Sequence, residues 1–348
     1  MDQQRLRDIM SGRCSGPADA ALRGLLRAAS VPYAAGMALR RRLHQLGLLH
    51  SHAAPAPVIS VGNMTTGGTG KTPLVAWVVG QLQNAGRRPA VLIRGYKANQ
   101  GRSDEAELLK RLTGAVVEVD SDRLAGARRA VAAGVNVLVM DDGFQHLRLR
   151  RELDIVLVDA SNPFGYGFCL PRGMLREPLR ALGEAGAIVI THCELAGPEE
   201  LARLKGELSR LAPAAAIALA EHEPTGLETP EGVRPVDDLV DRKVHAFCGL
   251  GNPEGFLAML QRYQALLVGS SVFDDHAVYD EPALSGLAAA ARTSAAEVLV
   301  TTAKDRVKIA DANRLPLPLW TLNVRIGIVQ GEPRLLEMIL AVAGGKSE

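Results

Sequence analysis

Aromatic residues make up only 4% of the 348 positions, so the cores must be packed from alanine, leucine and valine. No stretch of about eighteen consecutive apolar residues occurs, which excludes a membrane-spanning helix of the usual kind. The first ten residues are polar and contain no apolar h-region, so no secretory leader is expected. The four cysteines, Cys14, Cys169, Cys193 and Cys248, stand far apart with no Cys-x-x-Cys pair. That spacing fits a reducing compartment, where thiols behave as small buried hydrophobes. Charge of one sign is not in excess either: the formal net charge is +2, which gives no footprint for nucleic acid as a partner. Low-complexity tracts and internal repeats are missing, and no obligate protein partner is evident.

What is present is concentrated in one stretch. Gly67-Gly68-Thr69-Gly70-Lys71-Thr72 follows the apolar run Pro57–Val61 and precedes the helix-like Leu74–Val79. Strand, Gly-rich turn, Lys-Thr, helix is the context of a phosphate-binding loop. Glycines let successive backbone N–H groups converge on phosphate, and a helix N-terminus adds a favourable dipole. On this reading Thr65 to Thr72 bind the triphosphate of a nucleotide. Lys71 reaches the β/γ-phosphates and Thr72 places its hydroxyl on Mg²⁺. The strict pattern requires a glycine where this chain has Thr65, so the approach to the loop is a variant.

Strand-like and helix-like segments alternate over the rest of the chain. Val135–Met140, Leu153–Asp159 and Ala187–Thr191 are near-continuous apolar runs, the pattern of parallel strands buried on both faces. The fold class expected is α/β: a P-loop NTPase-type, mostly parallel sheet with helices on both faces, plus a second smaller α/β lobe. The expected domains are an N-terminal amphipathic segment (1–56), a P-loop domain (57–240) and a C-terminal lobe (241–348). Glu221–Pro235, rich in Pro, Glu and Gly, reads as a linker or a hairpin between the lobes.

Several residues outside the loop carry candidate chemistry. Asp141 and Asp142 end an apolar strand, and in open α/β sheets ligands collect at the carboxyl ends of strands; both are candidate Mg²⁺ ligands. Gln145 and His146 continue from that pair and are candidates for contacting phosphate or an attacking group, against a plain solvated turn. Asp104 and Glu105 begin a helix, where acidic residues also occur for dipole reasons alone. Asp275-His276 follows a strand of the second lobe and is either a general base or a surface turn. Arg172 and Arg176 occupy the long Gly/Pro-rich connection Pro163–Pro178 and could bind an anionic substrate in bidentate fashion. His192-Cys193-Glu194 lacks a second ligand pair and reads as a strand end rather than a metal site.

The N-terminal segment is rich in arginine, with Leu22, Leu25, Leu26, Ala29 and Tyr33 at helical spacing and Arg40-Arg41-Arg42 after an apolar stretch. Pro32 is expected to break or restart that helix. The segment is either an amphipathic element lying on an anionic membrane or a helix packed on the body of the protein.

Taken together, these stretches resemble the tetraacyldisaccharide 4′-kinase (lipid A 4′-kinase) family. The resemblance rests on Val61–Pro73, Arg94-Gly95-Tyr96, Asp104-Glu105, Asp141–His146, Leu175–Pro178, Phe247–Pro253, Asp275-His276 and Thr301–Asp305. It implies transfer of the ATP γ-phosphate to the 4′-hydroxyl of an acylated glucosamine disaccharide 1-phosphate, giving lipid IVA. It also implies peripheral association with the cytoplasmic face of the bacterial inner membrane. Lys71 and Thr72 would hold phosphates and Mg²⁺, and Asp141 and Asp142 the metal. Asp104, assisted by His276, would activate the sugar hydroxyl. Tyr96, Glu105, Gln145, His146, Arg172 and Arg176 would line the acceptor site. The chain departs from the family's pattern at Lys97-Ala98, at Ser103 and Ala106, and at Ala303. The competing class is a P-loop nucleotide switch or metallochaperone. It calls for a guanine-reading Asn/Thr-Lys-x-Asp motif and often a Cys pair, and the chain has Thr302-Ala303-Lys304-Asp305 and no such pair.

Overall fold

The computed structural model describes residues 3–14, 16–95, 103–274, 277–309 and 311–344. In chain order the elements begin with helices α1 (Gln3–Ser11) and α2 (Pro17–Gln45), then β1 (Val58–Asn63), α3 (Lys71–Asn84) and β2 (Pro89–Ile93). Next come α4 (Asp104–Thr113), β3 (Val116–Val119), α5 (Arg123–Ala132), β4 (Val137–Asp141), β5 (Leu153–Asp159), β6 (Ala187–Thr191) and α6 (Pro198–Leu211). A long strand β7 (Ala216–Thr229) leads into β8 (Gly232–Arg234), β9 (Lys243–Cys248), α7 (Pro253–Arg262), β10 (Leu266–Val272) and α8 (Glu281–Thr293). The chain ends with β11 (Val298–Thr302), the single turn α9 (Ala303–Arg306), β12 (Leu319–Gln330) and α10 (Glu332–Ala343).

Two compact units form. The first comprises Met1–Gly95, Thr113–Glu221 and Ile328–Glu348, the second Tyr96–Leu112 and His222–Gly327. In the first, strand order is β7-β6-β5-β1-β4-β2-β3, all parallel. Every residue of β1, β2, β4 and β6 is buried, which is why their sequences show apolar runs without alternation. Leu138, Met140, Ala90 and Leu92 pack with Ala127 and Ala130 of α5, while Val156, Val158, Ile188 and Ile190 pack with Leu204 and Leu208 of α6. Helices α3 and α10 cover the other face. The second unit has the parallel order β10-β9-β11-β12, with a core of Val244, Ala246, Val300, Leu322 and Trp320 against Phe256 and Leu260 of α7. Both units are therefore α/β.

The units do not follow the boundaries expected at 56/57 and 240/241. α2 is part of the first unit, and α10 returns to it. The stretch read as linker or hairpin is a hairpin, with Leu227–Thr229 antiparallel to Gly232–Arg234. Strands β7 and β12 each carry the chain from one unit into the other, so no Gly/Pro-rich linker marks the change.

Pro32 does not break α2; the helix continues to Gln45 with proline inside it. An interior proline costs about 3 kcal/mol through a lost hydrogen bond and a clash one turn back. Contacts beyond Pro32 offset this. Tyr33 Oη donates to the Arg176 carbonyl at 3.0 Å and Arg40 to the Gln145 carbonyl at 3.1 Å. Arg41, 6% exposed, donates through Nε to Glu177 at 2.9 Å and through Nη1 to Glu184 at 2.6 Å, and its guanidinium lies 4.7 Å from the Phe144 ring centroid. Burial pushes the Glu177 carboxyl above the ordinary carboxylate range, with Arg41 opposing that rise. Removing one member of a buried pair strands the other charge. Arg41→Ala is expected to cost about 3–5 kcal/mol of stability, read from chemical denaturation. A double variant that also replaces Glu177 by leucine should recover most of that loss; no recovery would mean the pair is not what holds α2.

Candidate active site

The site is built where β1 and β4 end. Gly62 and Gly143 allow a close approach there: a Cβ on Gly62 would lie 2.8 Å from the Phe144 backbone nitrogen, and one on Gly143 would lie 2.6 Å from Ser60 Oγ. Asp142 takes a positive φ of 53°, a conformation aspartate tolerates better than most residues. It turns the chain after β4, while the Gly143 N–H donates to the Val61 carbonyl at 3.3 Å.

The approach to the loop is extended rather than tightly turned. Thr65 forms an antiparallel bridge with Leu175, flanked by Thr66 N–H to the Met174 carbonyl and Arg176 N–H to the Met64 carbonyl, both at 2.8 Å. Asn63 Nδ2 donates to the Thr65 carbonyl at 2.7 Å. A residue paired like a strand needs no glycine, which accounts for Thr65. The glycines fall where the backbone does turn: Gly67 has φ 124° and Gly70 has φ 80°. Gly70 caps α3 in the left-handed conformation and contributes no side chain. Among the described residues, the backbone N–H groups of Gly67, Gly68, Thr69, Gly70 and Lys71 make no hydrogen bond. Consecutive free N–H groups at a helix N-terminus form a seat for an anion.

Charged side chains close around this seat. Arg176 Nη1 contacts both carboxylate oxygens of Asp142 at 2.8 Å, and Lys71 Nζ lies 3.7 Å from Asp142 Oδ1 and 3.3 Å from Asn63 Oδ1. Burial works to raise the Asp142 pKa, but Lys71 and then Arg176 outweigh it and hold the carboxyl below its usual range. Gln145 donates to the Asn63 carbonyl at 2.9 Å. Asp141 is 2% exposed, and its backbone carbonyl accepts from Arg123 at 3.0 Å. On the other flank, Thr191 Oγ1 donates to the Thr69 carbonyl at 3.0 Å.

Of the residues singled out in the sequence, Thr65 to Thr72, Asp141, Asp142, Gln145 and Arg176 come together here. Arg172 is directed elsewhere: it donates to the Met10 carbonyl at 2.7 Å and stacks 4.7 Å from the Phe168 centroid. Asp104 and Glu105 begin α4 in the second unit, Asp104 exposed and Glu105 half-buried. Tyr96, Asp275 and His276 lie outside the described residues. No group of three or more His, Cys, Asp or Glu side chains converges as a metal cluster among the described residues. His192, in the triplet read as a strand end, instead faces Asp159 at 3.0 Å. Asn63, Arg123, Thr191 and the Arg41–Glu177 pair also belong to the site or its support and were not among the residues expected from the sequence. Asn63 and Thr191 had a signal, a polar residue closing an apolar strand; the arginines had none.

His146 is half-buried. Its pKa falls to about 4, through burial first and then the fields of Arg123, Arg151, Arg40 and Arg148. The ordinary value of 6.5 applies when unfolded, so between pH 6.5 and about 4 the unfolded chain binds the extra proton. Stability from this group is thus complete above pH 6.5 and is lost as pH falls through that window. A proton-NMR titration should keep the His146 imidazole neutral at pH 5, and His146→Gln should flatten the stability slope between pH 6.5 and 4. Ordinary titration near 6.5 would contradict this.

The chain is similar to characterised families across most of its length. A family model described as tetraacyldisaccharide-1-P 4′-kinase (LpxK) matches residues 22–343. A tetraacyldisaccharide 4′-kinase of Anaeromyxobacter dehalogenans (strain 2CP-C) is 39% identical over 318 residues, 85% of this chain and 84% of that one. One of Syntrophotalea carbinolica is 37% identical over 320 residues, 86% of each. The crystal structure of "apo" form LpxK from Aquifex aeolicus in complex with ATP superposes with a TM-score of 0.71 at 27% identity, covering 92% of this chain and 99% of that one.

Proposed function

The chain belongs to the tetraacyldisaccharide 4′-kinase family, and from that premise we propose the parts its residues take in transferring the ATP γ-phosphate to the 4′-hydroxyl of a tetraacyldisaccharide 1-phosphate, a step of lipid A biosynthesis. The observation that carries the assignment is the row of free N–H groups from Gly67 to Lys71, with Lys71, Asp142 and Arg176 beside it. Those N–H groups and Lys71 hold the triphosphate and take up the charge that builds on the departing β-phosphate oxygen.

The donor set fits Mg²⁺. Thr72, Asp141 and Asp142 would offer it hard oxygens, the donor type this cation takes, with phosphates and water completing its shell. When bound, Mg²⁺ neutralises charge on the phosphate oxygens. Lys71 and Arg176 keep Asp142 ionised beside the loop, so the carboxylate is ready without prior deprotonation.

The remaining roles follow the chemistry of the acceptor. The sugar 4′-oxygen bonds to the γ-phosphorus as the bond from that phosphorus to the β,γ-bridging oxygen breaks, releasing ADP. The hydroxyl proton passes to Asp104, assisted by His276. Tyr96, Glu105, Gln145 and His146 line the acceptor side. His146 serves there as a neutral imidazole.

Membrane association rests on α2. Among the described residues no helix is long and apolar enough to cross a membrane. Yet the outward face of α2 is apolar, with Leu25 (69% exposed), Val31 (64%) and Leu39 (59%), followed by Leu46 and Leu48. Its inward face carries the buried Arg41. Tyr33 and Ala34 of the same face pack on the core, so α2 carries apolar side chains on both sides, and the exposed Arg27 and Arg42 flank the outward ones. The segment so lies on the cytoplasmic surface of an anionic inner membrane, peripheral to it, where its acylated substrate resides.

Purified protein with Mg-ATP should transfer labelled phosphate to tetraacyldisaccharide 1-phosphate, and Lys71→Ala should lower that rate by about 100-fold or more. Binding of GTP in preference to ATP, with no transfer, would return the switch reading. Asp104→Ala should lower kcat by about 100-fold with ATP affinity within about twofold of wild type. Loss of ATP affinity instead would remove Asp104 from the proton-accepting role. Replacing Leu25, Val31 and Leu39 together by glutamine should weaken co-sedimentation with phosphatidylglycerol vesicles by more than about tenfold. Transfer to detergent-dispersed acceptor should survive that change, and unchanged sedimentation would sink the anchor role of α2.

A further inference from the structure

The phosphate loop is held at two carbonyls and left open at its N–H groups. Asn63 ties the Thr65 carbonyl from within the same segment, whereas the Thr69 carbonyl is held by Thr191, a residue 122 positions away. Thr191 is the last residue of β6 and has no exposed surface. Its own position is set by the sheet, with Thr191 in register beside Asp159 and its carbonyl accepting from the Ala160 N–H at 2.9 Å. The hydroxyl is thus a fixed donor.

The Thr69–Gly70 peptide leads into the residue that caps α3, a glycine at φ 80°. In a trans peptide the C=O and the following N–H point in opposite directions. A donor that binds the Thr69 carbonyl therefore also aims the Gly70 N–H to the opposite side, away from β6. Glycine has little resistance of its own to rotation of this peptide, because it populates both signs of φ. The orientation has to be imposed from outside the loop. Thr69 is itself 3% exposed, so its carbonyl has no water to turn to if the donor is lost.

We infer that Thr191 is a positioning residue for nucleotide binding, whose hydroxyl presets the Thr69–Gly70 peptide so that the Gly70 N–H is already aimed when the triphosphate of ATP arrives. It touches no reacting atom; it acts through the loop. Preset donors do not have to be reoriented at the moment of binding or of transfer, which is where their advantage lies. This inference rests on the reading of the loop as the triphosphate seat.

Thr191→Val keeps the shape and removes the donor, and Thr191→Ser keeps the donor and removes a methyl. Thr191→Ala serves as a second donorless variant should valine not yield folded protein. With one buried carbonyl left unpaired, Kd for Mg-ATP by calorimetry should rise about tenfold in the donorless variant, and serine should restore it to within about threefold. KM for ATP should rise with it, while KM for the acceptor stays within about twofold. Equal ATP affinity in wild type and the donorless variant would overturn the inference while leaving the loop assignment standing. So would a serine variant as impaired as the donorless one, since packing rather than the hydroxyl would then be at work. A wild-type protein that binds no ATP would overturn both readings.

Discussion

The arrangement depends on keeping one carboxylate ionised between two cations. Asp142 sits in a turn that burial alone would push toward its protonated form, and Lys71 and Arg176 hold it charged. Each cation comes from a different segment, Lys71 from the start of α3 and Arg176 from the long connection after β5. The carboxylate therefore joins three stretches of chain at one point. Neither cation is idle without a bound nucleotide, because each has a carboxylate or amide partner. Charge at the site is thus balanced before a triphosphate enters, and no unpaired cation must be carried at a cost to stability.

A second layer fixes the first. The backbone of Arg176 is bonded on one side to Met64 and on the other to Tyr33, and the next residue, Glu177, is paired with Arg41. Helix α2 therefore braces the segments that carry Arg176 and Gln145. Of the two readings of the N-terminal segment, the packed helix describes its inward face, and the membrane contact proposed above would use the exposed Leu25, Val31 and Leu39. The inward side packs Tyr33 and Ala34 on the core and pairs Arg41 with Glu177.

Much of this was legible in the residues. Strands β5 and β6 and helix α6 lie where their apolar patterns and flanking breakers place them, because parallel strands buried on both faces leave a strong, simple signal. The phosphate loop was legible because its glycines answer a local backbone requirement. What escaped was of another kind. The carboxylate partners of Arg41 stand more than 130 positions away, and Thr191, although it closes an apolar strand, carries nothing local that points to its partner Thr69. Pro32 misled because propensity describes an isolated helix and tertiary bonds on the next turn override it. Strand β7 was missed because it contains Pro224 and is half-exposed over much of its length, so neither a buried run nor clean alternation marks it. Two of the unit boundaries fall inside β7 and β12 and a third inside α4, where a continuous element rather than a linker carries the chain across.

The short ladder between Thr65 and Leu175 bears on how such chains change over generations. Two segments more than a hundred positions apart together supply what a single glycine-led turn supplies in the strict motif. A search that scores the motif by itself would discount this chain for its threonine, although the geometry there is complete. Position 65 and the stretch from 174 to 176 are joined by backbone bonds into one ladder. Because those bonds are made by the backbone, side chains there can vary without breaking them, whereas a glycine introduced at 65 would loosen the chain where it now gains from being straight.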